Sequence, residues 1–280
     1  MTPFSAVDRV VHALFASVLF LTVLFLWQRT HERSCLALAF PILIFLAVFG
    51  GLLEHRLERK RFVVDYYLDS GSSLRRWLRR SGLSVMISLA AALPLATFLA
   101  VFAARSRPTD WLFLCAAAAV APLLFNGLSA WPGRHFRRDG GGEGGGRAAV
   151  ADVLAARMAG TLLLAGLAIV YVYASYYLIP VPGQNIFPDS LERTVEAFSA
   201  QGGSACSVVD DALRLTAQLE GLGWYFVTTA ATARWMHDGV GLFLWVGFFL
   251  NAAMVFGGFV RGLEGCVLMA WRLERYRGER

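Results

Sequence analysis

The histidines are the first residues of this sequence that could support chemistry. His12 and His55 fall beside the first two long apolar segments, and paired histidines on neighbouring helices can ligate haem. His55, however, lies in a charged run, and no other apolar segment holds a deeply placed histidine. We therefore expect no cofactor and no metal site, and a haem bound by these two histidines is the alternative.

Motifs for nucleophilic or hydrolytic catalysis are absent from the sequence. It has no Ser-His-Asp order, no pair of catalytic carboxylates and no His-Glu-x-x-His motif. The glycine-rich run 139–147 lacks the Gly-Lys-Ser/Thr ending of a phosphate-binding loop, and six glycines in nine residues predict a flexible linker without regular structure. These observations favour a protein that is not an enzyme.

Polar residues inside the apolar segments are the usual mark of a transport path. Asn126, Arg157 and Asn251 are the membrane-embedded polar candidates in this sequence. Amides in such positions either hydrogen-bond between helices or line a pore, and we interpret these as packing residues. We expect no Asp, Glu or Lys deep in any segment, which disfavours a proton pump or a proton-coupled antiporter.

The four cysteines form no Cys-x-x-Cys pattern. Cys35 and Cys206 are expected on the same side of the membrane, where an oxidising compartment would permit a disulfide between them. The interpretation that we favour is that the thiols are unpaired and behave as small apolar side chains. The sequence leaves the pairing open.

The apolar segments themselves define the fold class. Hydrophobic residues make up 57% of the 280 residues and charged residues 16%, and the apolar residues occur in blocks long enough to cross a bilayer. The sequence predicts an all-α polytopic membrane helix bundle of about six transmembrane helices. Their expected ranges are 10–27, 34–53, 83–104, 110–131, 154–181 and 239–260, and the first should remain attached rather than be cleaved as a signal peptide.

The distribution of basic residues predicts the orientation. The net charge is +6, and Lys and Arg concentrate at the C-terminus and in the connections 54–82 and 132–153. The positive-inside rule then places both termini in the cytoplasm. Lys60 is the only lysine among 26 basic residues, which indicates a GC-rich coding sequence and, with the Ala and Gly content, a bacterial inner membrane.

Two connections are expected to hold structure of their own. Residues 72–80 predict an amphipathic cytoplasmic elbow helix at the membrane surface, with a partner-docking helix as the alternative. Its basic face would bind anionic lipid through Arg75, Arg76, Arg79 and Arg80. Segment 182–238 predicts a small acidic external helical cap, with one helix opened by Asp189 and Glu192 and a second from Ser207 to about Glu220. Residues 221–236 would then lie at the outer interface or form a shallow re-entrant helix.

Close helix packing is predicted in the last segment. Gly258-x-x-x-Gly262 permits another helix to approach, either within the chain or in an oligomer. The organisation we expect is therefore membrane helices 1–5 in residues 1–181, the cap in 182–238, and the sixth span with its basic tail in 239–280.

The function expected from these features is that of a non-catalytic inner-membrane subunit or scaffold of a larger envelope assembly, such as a secretion or DNA-transfer apparatus. Two observations lead to this expectation. The sequence has no set of residues that could catalyse a reaction, and it predicts a structured external segment that could bind partners. A channel or passive transporter, formed by the bundle or its homo-oligomer, is the alternative. The expected partners are the lipid bilayer and other membrane subunits or a second copy, and no nucleic acid is expected.

Overall fold

A computed structural model describes residues 6–67, 82–135, 144–177, 191–200, 203–232 and 238–278. Every regular element in these ranges is helical. A 3₁₀ turn, Cys35–Leu38, precedes the second of the eight α-helices described. The helices are α1 (Ala6–Thr30), α2 (Ala39–Tyr67), α3 (Gly82–Arg105), α4 (Pro108–His135), α5 (Gly144–Tyr177), α6 (Leu191–Ser199), α7 (Ser207–Thr232) and α8 (Asp238–Gly278).

Six of these helices contain a stretch long and apolar enough to cross a membrane, which confirms the expected all-α fold and the number of spans. The stretches are Val10–Thr30, Cys35–Leu57, Gly82–Arg105, Pro108–Leu128, Arg157–Ser175 and Phe249–Trp271. The chain therefore has the architecture of a multi-pass membrane protein.

The last helix occupies the centre of the bundle. α8 contacts α1, α2, α3, α5 and α7. In its spanning stretch 67% of the residues are buried, whereas in the other five stretches 22–33% are. The outward faces of those five carry exposed side chains such as Phe15, Leu112 and Leu162. Lipid tails solvate such side chains as well as a protein interior does. Four of the outer spans, α1, α2, α3 and α5, thus pack around α8, and α4 packs on α1 and α5.

The predicted packing glycines of α8 lie against two different helices of the same chain. A Cβ on Gly258 would lie 2.5 Å from the Leu95 carbonyl oxygen of α3. A Cβ on Gly262 would overlap the Phe20 ring of α1. Both positions need glycine because backbone or a buried ring occupies the space that a side chain would fill.

A third glycine of α8 meets a glycine of α2. A Cβ on Gly265 would lie 2.8 Å from the Gly51 backbone nitrogen, and a Cβ on Gly51 would overlap the Arg261 carbonyl oxygen. Backbone therefore packs directly on backbone where α2 crosses α8. By contrast, a Cβ on the adjacent Gly50 would meet no atom within 4 Å.

Two expectations about the connections are wrong. Helix α5 begins at Gly144, so the end of the glycine-rich run 139–147 is helical rather than irregular. Extending an existing helix backwards fixes one residue per hydrogen bond, which costs less than starting a new helix. Helix α7 also continues to Thr232 instead of ending near Glu220, and it passes closely over Phe198 of α6 at Gly221.

Other expectations fall outside the described residues. The elbow helix at 72–80 and the proposed capping residue Asp189 both lie in undescribed segments. On the described side of each, α2 continues to Tyr67 and α6 begins at Leu191.

Candidate functional site: a buried ion pair in α8 and the attachment of the α6–α7 pair

A carboxylate lies inside the last spanning helix. Glu264 is 3% exposed and falls within the stretch Phe249–Trp271, about 6 Å along the axis from its midpoint. The expectation that no acid lies deep in a span is therefore wrong. The sixth predicted span ends at Val260, before Arg261, but a base and an acid one turn apart offset each other's charge within a continuing helix.

Glu264 is paired on one side only. Its Oε2 accepts a hydrogen bond from Arg261 Nη1 at 2.5 Å, and the Arg261 side chain is 19% exposed. Its Oε1 has no hydrogen-bond partner among the described residues. A buried carboxylate without full pairing is costly, so the surroundings of this oxygen define the site.

The unpaired oxygen faces the backbone of α5. A Cβ on Gly160 would overlap Glu264 Oε1, so the carboxylate occupies the volume that a side chain at position 160 would take. Arg157, one turn earlier on α5, is exposed but close enough to interact electrostatically with Glu264. The structure thus brings one predicted polar residue, Arg157, to a carboxylate that sequence reasoning missed. The Arg-x-x-Glu spacing among the α8 glycines was the available signal.

The predicted amides do not join this site. Asn126 is half-buried in α4, towards the end of its span away from the α3–α4 turn. Asn251 is exposed on the outer surface of α8, near the other end of the bundle. The two candidate pore residues therefore do not face a common space within one copy of the chain.

The two histidines that raised the haem alternative lie on α1 and α2. The His12 ring shares a hydrogen bond of 2.8 Å with the Asp8 carbonyl oxygen, and His55 is half-buried in α2. Across the described ranges, no group of three or more His, Cys, Asp or Glu side chains could hold a metal ion.

The opposite end of the bundle is attached covalently to α7. Cys35 and Cys206 form a disulfide with a Cα–Cα distance of 4.9 Å, so the favoured interpretation of unpaired thiols is wrong for these two residues. Beside it, Ser204 Oγ donates a hydrogen bond of 2.7 Å to the His31 carbonyl oxygen. A separation of 171 residues in the sequence gives no local signal for this contact.

An ion pair forms a further attachment. Arg105 at the end of α3 lies 2.7 Å from Glu220 of α7, with side-chain exposures of 17% and 40%. Leu213 and Ala217 on the inner face of α7 are buried, and α7 also contacts α8. The α6–α7 pair is therefore fixed to the bundle at the disulfide, at Ser204 and at Glu220.

Side-chain hydrogen bonds also order the helix ends beneath this attachment. Gln28 of α1 donates to the Ser106 carbonyl oxygen and accepts from Trp111 Nε1 at 2.9 Å. Asp110 accepts from the Arg107 backbone at 2.8 Å, which caps the start of α4. The α3–α4 turn is thus tied to α1.

The two regions have different chemical capacities. The Glu264–Arg261 pair can hold or exchange charge inside the bundle, whereas the fixed α6–α7 pair can present a defined surface outside it. Comparisons with models of protein families, with curated proteins and with solved structures find no match to this chain. The geometry of the two regions is therefore the basis on which a function can be argued.

Proposed function

We propose that the protein is a non-catalytic membrane subunit of a larger assembly in a bacterial envelope, for example a secretion or DNA-transfer apparatus. The bundle anchors the subunit, and the α6–α7 pair binds its partners. The observation that carries this proposal is the attachment of that pair by the Cys35–Cys206 disulfide, the Ser204 hydrogen bond and the Glu220 ion pair.

Fixing a surface before binding favours association. A free helical pair would lose conformational freedom when it docked, and that loss would reduce the affinity. Here the disulfide already joins the start of α7 to the start of α2, and the ion pair between Arg105 and Glu220 binds the middle of α7 to α3. A rigid surface of this kind suits a permanent subunit contact better than a transient one.

The same attachment supports an orientation. Disulfides persist in the periplasm and are rare in the cytosol, so the α6–α7 pair would lie outside and both termini inside. The concentration of Arg near the C-terminus agrees with that orientation. A reporter fused after Arg280 should be active only if it is one that works in the cytoplasm, and activity of a periplasm-dependent reporter there would overturn the orientation.

The proposed function is tested by extraction in mild detergent at native expression, followed by size analysis and mass spectrometry. We expect foreign membrane subunits at fixed stoichiometry with the tagged protein. A homo-oligomer without other proteins would refute the proposal. A matched preparation reduced before extraction would show whether co-purification depends on the Cys35–Cys206 bond.

A channel or passive transporter is the second candidate, and Glu264 is the observation that favours it. An ionisable side chain inside a span commonly marks an ion path. Asn251 on the outer surface of α8 could then line a lumen between copies. Purified protein in liposomes would conduct cations, and Glu264→Gln would reduce the flux. Flux equal to that of empty liposomes would exclude this candidate.

A further inference from the structure

Helix α7 has two apolar faces, and only one of them is used within the chain. The inner face holds the buried Leu213 and Ala217, and Gly221 packs against Phe198 of α6, whose Cβ lies 3.1 Å from the point where a glycine Cβ would be. An amphipathic helix needs one such face to bind its own protein. The second apolar face is therefore not required for the fold.

The second face is a narrow apolar strip that we call the α7 seam, consisting of Val208, Leu215, Leu219 and Phe226. These side chains are 73%, 59%, 59% and 45% exposed, respectively. At 100° per residue they lie within about 20° of one line, and the strip is about 27 Å long. A spacing of seven and four residues is that of the contact face of a helix that packs along another helix.

One edge of the seam is acidic. Asp211 is exposed and lies one turn from both Val208 and Leu215. On the same side, Glu192 and Glu196 of α6 line a groove of about 420 Å³ that separates α6 from Gln218 of α7. The groove also contains apolar surface from Leu191 and Val195.

Two of the neighbouring basic side chains are already paired, and a third, Arg193, is exposed on α6. Arg214 pairs with Asp210 at 2.8 Å, and Arg105 pairs with Glu220. Asp211, Glu192 and Glu196 have no ion-pair partner within the part of the chain that the structure describes. The edge thus presents three carboxylates beside an exposed apolar strip. This surface is complementary to a partner helix that has basic residues beside an apolar strip.

We propose that the α7 seam and its acidic groove bind an amphipathic helix of a partner protein, with apolar residues on the seam and Lys or Arg facing Asp211, Glu192 and Glu196. This inference rests on the proposed function as an assembly subunit and names the chemistry of its partner. Helix-in-groove binding of this kind is read through apolar anchors at helical spacing.

Charge distinguishes this occupant from two others. The first is the membrane surface. Helices that bind it carry Lys or Arg beside their apolar face, but the seam has carboxylates there, which anionic headgroups would repel. In a dimer whose two seams pack antiparallel about a twofold axis, both acidic edges lie on the same side of the interface, and like charges there oppose association. A basic partner helix satisfies both the seam and the edge.

Photocrosslinking in native membranes tests the inference, with a photoreactive amino acid at Leu215 and, as a matched control, at Leu162 of α5. Their exposures are 59% and 58%, but Leu162 lies on an outer face of the bundle. We expect Leu215 to crosslink to a peptide of another protein that places apolar residues three or four apart and Lys or Arg beside them. Leu162 should give lipid adducts.

Charge reversal then tests the acidic edge. Asp211→Lys combined with Glu196→Lys should reduce the crosslink at Leu215 at least about tenfold, because a basic partner helix would then meet like charges, which cost several kcal/mol at an interface. Both residues are exposed, so the variant should fold, and formation of the Cys35–Cys206 bond checks this. An unchanged yield, a partner peptide without basic residues, a crosslink to this chain, or lipid adducts alone at Leu215 would each overturn the inference.

Co-purification separates this inference from the proposed function. If foreign subunits purify with the wild type but equally well with Leu215→Glu combined with Leu219→Glu, the assembly role stands and the seam is not its docking surface. If the wild type purifies without foreign subunits, the proposed function itself fails. If the seam variant loses the subunits while its disulfide forms, both proposals are supported.

Discussion

The carboxylate of Glu264 lies directly against the backbone of Gly160 on the neighbouring helix. A Cβ at position 160 would overlap Glu264 Oε1 and would lie 3.1 Å from a methyl carbon of Val260. The contact between α5 and α8 therefore depends on the missing side chain of one residue and on the position of a buried charge in another. This relationship can be tested by a single methyl group.

Gly160→Ala should destabilise the protein by about 1–3 kcal/mol, the usual cost of adding volume to a packed interior. The new methyl group must push Glu264 away from α5 and thereby disturb its bond to Arg261. The measurement is the thermal unfolding midpoint in detergent. Gly166→Ala is the matched control on the same helix, because a Cβ there meets no atom within 4 Å. Equal midpoints for the two variants would contradict the described contact.

Arg261→Met should cost about 3–5 kcal/mol, because it leaves a buried carboxylate without its partner. Adding Glu264→Leu should recover most of that loss, since apolar residues of similar volume can replace a buried ion pair. A double-mutant cycle measured by unfolding in detergent gives the coupling free energy. If the double variant were as unstable as Arg261→Met, the pair would not be the source of the loss.

Gly51→Ala should destabilise more than Gly160→Ala. The methyl group at position 51 would meet backbone atoms of α8, which cannot move aside as the Glu264 side chain can. The adjacent Gly50→Ala is the control, because open space surrounds a Cβ at Gly50. The unfolding midpoints of the two variants should therefore differ although the substitutions are neighbours in the sequence, and a loss from Gly50→Ala alone would show that the register of α2 is wrong.

Cys35→Ser and Cys206→Ser should each loosen the α6–α7 pair to the same extent, and the double variant should lose no more than either single one. Removing a native disulfide typically costs about 2–5 kcal/mol. Limited proteolysis of residues 191–232 and the unfolding midpoint, with and without reductant, measure the change. Cys115→Ser is the control because Cys115 is a free cysteine. Alkylation of both Cys35 and Cys206 in protein purified without reductant would refute the bond.

The six spans could be predicted because the bilayer requires long apolar stretches, and such stretches can be recognised from the sequence without knowledge of the fold. Their ends were less predictable. Helix α2 continues to Tyr67 through the charged residues after Leu53, and α8 continues through Arg261. Once a helix leaves the hydrocarbon, or once its charges pair, hydropathy no longer marks where it ends.

The contacts that define the two candidate regions could not be determined from the sequence alone, which left the Cys35–Cys206 pairing open and gave no sign of the contact between Glu264 and Gly160. Cys35 meets Cys206, and Glu264 meets Gly160, only because distant helices pack together. Neither pair has a periodic pattern, and a glycine in a sequence does not reveal what fills the space beside it. The exposed side of α7 was likewise missed, because one apolar side was already sufficient to explain the helix.

The central position of α8 has a consequence for how the protein is made. Ribosomes add about 5–20 residues per second, and the 41 residues of α8 emerge after the other five spans. Until then Phe20, Leu95 and Gly51 lack the surface on which they pack. The nascent chain must therefore pass through a stage in which the five inserted spans lack the helix on which four of them pack. A chain that stops before Asp238 would therefore keep the outward faces of the first five spans but leave Phe20, Leu95 and Gly51 without the helix on which they pack.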